Sequence, residues 1–201
     1  VLDSNDLPLN VSRELLQTDS EVEAMRSALT RRTLDLLAKM AKDEVEKYAT
    51  FWKEFGSVLK EGVGEDPTNR ERILSLLRVA STHEEGDEPK VSLADYVGRM
   101  QSGQEKIYYL IADSITAARG SPYLEQLRNK GIEVLLLADR VDEWMMGHVR
   151  EFEGKSFKDV ARGDLELGAL ETAEDKAAAE QAVKGSKKLL KRIKDTLGDR
   201  V

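Results

Sequence analysis

The sequence predicts an α/β fold with a large helical share: a three-helix bundle, then a small three-layer αβα unit, then a trailing C-terminal helix. Three observations carry this. Apolar residues recur at helical spacing through residues 20–80. Two short apolar runs, at 106–112 and 132–138, have the composition of buried strands, and each is followed by a helical segment. Charged residues make up 34% of the chain against 40% hydrophobic, a balance suited to helices with one buried and one solvated face.

The elements follow in order. Asp3-Ser4-Asn5-Asp6-Leu7-Pro8 reads as a loop, after which Asn10 or Ser12 can cap a short helix through Arg13-Glu14-Leu15-Leu16-Gln17. Ser20 and Glu23 have capping-box spacing, and Val22, Met25, Leu29, Leu36 and Met40 then form a helical stripe. A second stripe is Val45, Tyr48, Trp52, Phe55 and Leu59, which Gly62-Val63-Gly64 is expected to stop. Asp66-Pro67 opens a third helix with Ile73, Leu74 and Leu77. Residues 81–90 read as a solvated loop and the best internal boundary.

Beyond it, Ser92 and Asp95 can cap a short helix through Tyr96-Val97. Residues 106–112 form the first strand, Asp113 caps the segment through Ala117-Ala118, and Ser121-Pro122 opens a helix ending at Lys130-Gly131. The nearly continuous apolar run at 132–138 predicts a strand buried on both faces, as in a parallel sheet. A helix from Val141 to about Val149 and a weaker edge strand at 156–160 complete a right-handed βαβ arrangement. After a polar linker at 163–171, a last helix at 172–197 carries Leu189, Leu190, Ile193 and Leu197, and needs a partner from elsewhere. The parts are therefore 1–17, 18–90, 91–162 and 163–201.

Composition removes several function classes. A formal net charge of −7 leaves no cationic excess to replace phosphate counterions, so no nucleic-acid partner is expected. The absence of cysteine excludes disulfides, cysteine nucleophiles and thiolate zinc sites. With His83 and His148 alone, histidine-rich metal sites are excluded too, and no metal is expected. No apolar run approaches the roughly 18 residues of a membrane span. The start, Val1-Leu2-Asp3-Ser4, reads as neither a signal peptide nor an initiator, so we expect a piece of a longer cytoplasmic protein.

Enzyme chemistry has little support. Neither Gly-x-Gly-x-x-Gly nor a P-loop follows a strand. Asp113 and Asp139 stand at strand ends, where α/β folds place active sites, but carboxylates there also serve as helix N-caps, the reading favoured here. His83 belongs to a polar loop, and His148 to a helix end that suits a positive charge.

Two segments stand out. Arg13 and Gln17, four apart, share a helix face, and a guanidinium beside an amide suits a phosphate, although pairing of Arg13 with a carboxylate is the simpler alternative. In Asp142-Glu143-Trp144-Met145-Met146 three large apolar residues point about 100° apart on a helix. One face cannot bury all of them, so either an adaptable binding patch or a buried Trp in a satellite core results.

Asp6-Leu7-Pro8-Leu9-Asn10-Val11-Ser12-Arg13-Glu14 with Leu16-Gln17 resembles the segment of Hsp90 chaperones whose arginine reaches the ATP γ-phosphate. Lys47-Tyr48, Phe51-Trp52, Phe55-Gly56, Leu59-Lys60-Glu61-Gly62, Gly103-Gln104-Glu105-Lys106-Ile107-Tyr108-Tyr109, Lys130-Gly131-Ile132-Glu133-Val134-Leu135 and Asp142-Glu143-Trp144-Met145 are similar to that family in order and spacing, over about residues 2–160. The rest resembles its bacterial branch more loosely, as the start of the C-terminal domain. The resemblance implies a homodimeric ATP-dependent chaperone of which this chain is the later middle domain and the first helix beyond. By position, Arg13 becomes the γ-phosphate contact and Gln17 its supporting neighbour, while Glu143, Trp144 and Met145 fall in a client-contact region. Implied partners are client polypeptides, an Hsp70-type chaperone near residues 21–40, and the protein's own N-terminal ATPase domain. ATP with Mg belongs to the full-length protein. The chain alone is expected to be a monomer and no enzyme.

Overall fold

In a computed structural model the described residues are 20–163 together with Leu167 and Leu170. Arg13, Gln17, the loop at 1–17 and the expected last helix lie outside them.

Two long helices come first, α1 (Ser20–Asp43) and α2 (Val45–Glu65), with Glu44 between them. Only the second half of α1 meets the core: Leu34 and Leu37 are buried, Met40 and Ala41 pack beside them, and Leu29 and Leu36 are exposed. Of the expected stripe Met40 thus packs beside the core, and Leu29 and Leu36 do not; Leu34 and Leu37 take the buried positions instead.

Along α2 the buried residues are Tyr48, Trp52, Gly56, Lys60 and Val63, a run spaced by four and then three that defines one face. Val45 and Phe55 lie off it and are exposed. Gly62 and Gly64 do not stop the helix, which continues to Glu65. The chain instead turns at Asp66, whose carboxylate accepts the Asn69 N–H at 3.1 Å. The third helix, α3 (Arg70–Leu76), buries Ile73, Leu74 and Leu76. Tyr48 donates to the Leu76 carbonyl at 2.6 Å, and the Arg78 guanidinium lies 4.8 Å from the Tyr48 ring centre, locking α2 to the end of α3.

A five-stranded sheet follows, in the order β1-β3-β2-β5-β4. Its strands are β1 (Ala80–Ser81), β2 (Lys106–Ile111), β3 (Leu135–Leu137), β4 (Glu151–Phe152) and β5 (Lys155–Asp159). β2 is parallel to both β3 and β5, and the outer pairs are antiparallel. Three expectations change. Residues 80–81, read as the end of the helical stretch and the start of the loop, form an edge strand. β5, read as an edge, is internal, because the two-residue turn Glu153-Gly154, with positive φ at both positions, folds β4 onto its outer side. β3 is shorter than 132–138, because Gly131 (φ +65) lets Ile132 donate back to the Leu127 carbonyl and finish the preceding helix.

Between the strands lie α4 (Leu93–Arg99), α5 (Ile115–Arg119), a 3₁₀ turn (Pro122–Leu124), α6 (Glu125–Asn129) and α7 (Asp142–His148). The Ser92/Asp95 capping box of α4 forms as expected, and the Ser92 hydroxyl holds the Asp95 carboxyl below the usual range. Side chains alternate across the sheet. Ile107, Tyr109, Leu135 and Leu137 meet the bundle, and Tyr108, Leu110 and Leu136 meet Leu124, Leu127 and Ile132 behind. Helices therefore cover both faces, which is the expected three-layer α/β class, and the bundle shares one apolar core with the sheet's front. Among the described residues no helix is long and apolar enough to cross a membrane.

Candidate functional site

The turns that follow the two central parallel strands are where an α/β sheet offers chemistry. After β2, Asp113 is exposed, and Ser114 rather than Asp113 caps α5, accepting the Ala117 N–H at 3.1 Å. The carboxylate at 113 sits one residue too early to reach the helix's free N–H groups. After β3, Asp139 is taken by Lys60 at 2.6 Å. A cavity of about 100 Å³ beside it is lined by Lys60, Arg78, Ile115 and Asp139 among others, but its cations already have partners. Arg78 donates to the Leu76 and Leu77 carbonyls, and burial lowers its pKa. The two carboxylates that line it, Asp139 and Asp87, are paired with Lys60 and Arg119, and His83 is exposed in its loop.

The second turn leads into α7, the helix of the Trp-Met cluster. Its first residue, Asp142, is fully buried and works in two directions. One carboxylate oxygen accepts the Asp139 N–H at 2.8 Å, closing the turn. The other lies 2.7 Å from the Lys60 ammonium, off hydrogen-bond geometry, so that contact is Coulombic. Lys60 itself is only 4% exposed. A lysine buried between two carboxylates joins the later part of α2 to the start of α7.

The next residues face out. Glu143 is exposed and pairs with the equally exposed Arg162 at 3.0 Å, a contact contributing about 0–1 kcal/mol. Trp144 is 43% exposed. Its ring tilts against His148, with centroids 4.5 Å apart, and His148 Nδ1 lies 2.9 Å from the Trp144 carbonyl oxygen. The inner edge of the indole lies on Gly64 so closely that a β-carbon there would stand 2.3 Å from the ring. Met145 is 2% exposed and belongs to the core, which corrects its expected place on the contact surface; at about 100° from Trp144 it faces the sheet. Met146 packs partly on the same core.

The family model described as Hsp90 protein matches residues 1–201. The chain belongs to the Hsp90 family. It is similar, over its whole length, to the "Chaperone protein HtpG" of Shewanella sediminis (59% identical), Shewanella pealeana (58%) and Dechloromonas aromatica (56%). The chain spans 32% of the length of each of these relatives.

For this Hsp90 segment, helical geometry required one of Trp144, Met145 and Met146 to stay uncovered without saying which, and the sequence reading missed two residues of α2 that meet α7, Lys60 and Gly64. Lys60 was visible as a cation on an apolar helix face, eight residues after Trp52. At Gly64 the helix does not stop, and the missing side chain instead allows the Trp144 ring to approach closely.

Proposed function

We propose that this chain is an interaction module of an ATP-dependent chaperone, binding partly folded client polypeptides through a surface centred on Trp144 with Glu143 beside it. The observation that carries the reading is the contrast within α7: Asp142 and Met145 are buried while Trp144 keeps 43% of its surface exposed. A large aromatic whose helix is anchored by buried Asp142 two residues before it and buried Met145 just after it loses little freedom on binding, and its apolar face suits unfolded chain. A flanking carboxylate favours clients with basic residues.

In the whole protein, the module's second task rests on Arg13, with Gln17 four residues on as its supporting neighbour, as a donor to the γ-phosphate of ATP bound with Mg by an N-terminal ATPase domain. ATP supplies the phosphoryl chemistry. Arg13 contributes a charge that stabilises the transferring group when the domains close, and Gln17 holds the guanidinium side of that contact. The full-length protein acts as a cytoplasmic homodimer and meets an Hsp70-type chaperone along α1, where Leu29 and Leu36 are exposed. The chain alone is no enzyme.

Trp144→Ala is expected to weaken binding of reduced, carboxymethylated α-lactalbumin roughly tenfold, within the range for an anchor residue, without changing the circular dichroism. Unchanged affinity would leave the module a structural spacer. Arg13→Ala in the full-length dimer slows ATP turnover and leaves ATP binding nearly intact; unchanged turnover would remove the phosphate assignment.

A further inference from the structure

Lys60 and Gly64 stand one turn apart on α2, and both serve α7 rather than α2. A lysine 4% exposed between two carboxylates carries a desolvation cost that an apolar trio would avoid. A glycine within the last turns weakens the helix that contains it. Each unfavourable local choice is explained across the interface. Lys60 meets Asp142, the residue that starts α7 and closes the turn before it. Gly64 leaves room for the six-membered ring of Trp144, whose three nearest atoms lie within about 3 Å of where a β-carbon would be.

We infer that Lys60 and Gly64 are positioning residues for Trp144. Lys60 fixes the start of α7, and Gly64 seats the indole with one edge on α2 and the other side outward. The binding arm of this inference rests on the client reading of Trp144; the seating arm does not.

The test uses the 201-residue chain labelled with ¹⁵N, in which Trp144 and Trp52 give separate indole N–H signals and Trp144→Phe identifies the first. Gly64→Ala is expected to move the Trp144 signal and raise its relaxation by a soluble paramagnetic probe, with the Trp52 signal unchanged. Affinity for reduced, carboxymethylated α-lactalbumin falls at least about threefold, the lower range for coupled neighbours. In a Trp144→Phe background, whose smaller ring clears the added methyl, Gly64→Ala has no effect on affinity. Equal losses in both backgrounds would mean that residue 64 acts on the helix generally, and an unmoved Trp144 signal would mean that no seat exists; either overturns the inference. If the signal moves but even the parent chain fails to bind, the client reading falls and the seating stands. Because Lys60→Met alone leaves Asp142 buried without its cation, Lys60 is tested as Lys60→Met with Asp142→Asn. A folded double variant with an unmoved Trp144 signal would remove Lys60 from the assignment.

Discussion

The turns after β2 and β3 leave adjacent parallel strands at the same end of the sheet, yet they are built differently. The first is exposed and makes no ion pair in its cap: Asp113 faces solvent, and the uncharged Ser114 hydroxyl caps α5. The second is buried and ionic: Asp142, fully enclosed, closes its own turn and meets Lys60 from α2. A serine cap suffices to start a helix. The additional tie to α2 places a helix relative to the bundle, and it occurs at the helix that presents Trp144. The difference separates a turn that only connects from one that fixes an orientation.

The largest expected effect lies in the ionic turn. Lys60→Met leaves the Asp142 carboxylate buried without its cation and should destabilise the chain by about 3–5 kcal/mol in urea unfolding, with much of the loss recovered when Asp142→Asn is added. A loss below about 1 kcal/mol, the range of exposed pairs, would erase the contrast between the two turns.

A buried network without charges makes the intermediate case. Tyr96, 1% exposed, donates to the Glu133 carbonyl at 2.8 Å and accepts from the Tyr108 N–H at 3.0 Å and from Gln104 at 3.1 Å. Tyr96→Phe strands these groups and should cost about 1–3 kcal/mol. Burial pushes the Tyr96 phenol far above its ordinary value. Above about pH 10 an unfolded chain therefore releases a proton that the folded chain retains, so this contribution is complete below that pH and is lost as pH rises toward the folded value. The urea midpoint should fall on the alkaline side of pH 10, and fall less in Tyr96→Phe.

In the turn capped by the hydroxyl, Ser114→Ala should cost about 1 kcal/mol. The smallest effect belongs to its neighbour: Asp113→Asn should stay within about 0.5 kcal/mol, as for an exposed side chain that caps nothing. A larger loss at 113 than at 114 in thermal unfolding would reverse the assignment of the cap.

Local features were legible in the sequence and distant ones were not. The Ser92/Asp95 box involves residues three apart, so spacing alone announced it. The angle between successive helical residues required one of Trp144, Met145 and Met146 to stay uncovered, and the fold decides that it is Trp144. Lys60 and Asp139 are 79 residues apart, and no periodicity connects them. The internal place of β5 depended on a hairpin whose first strand is two residues long, too short for any alternation to register. Gly64 was misread because a glycine needed for close approach and one needed for a positive φ look alike in sequence. Arg13 and Gln17 lie outside the described residues, so their reading rests on resemblance.

The most direct test of the central claim is a residue-resolved map of where unfolded polypeptide touches the chain. Backbone NMR shifts are followed as reduced, carboxymethylated α-lactalbumin is titrated into the ¹⁵N-labelled protein. Perturbations are expected to concentrate at residues 142–149 and at the facing end of α2 around Gly64, weakened by Trp144→Ala. Perturbations confined to the exposed apolar side chains of α1, or none in a chain shown to be folded, would contradict that claim.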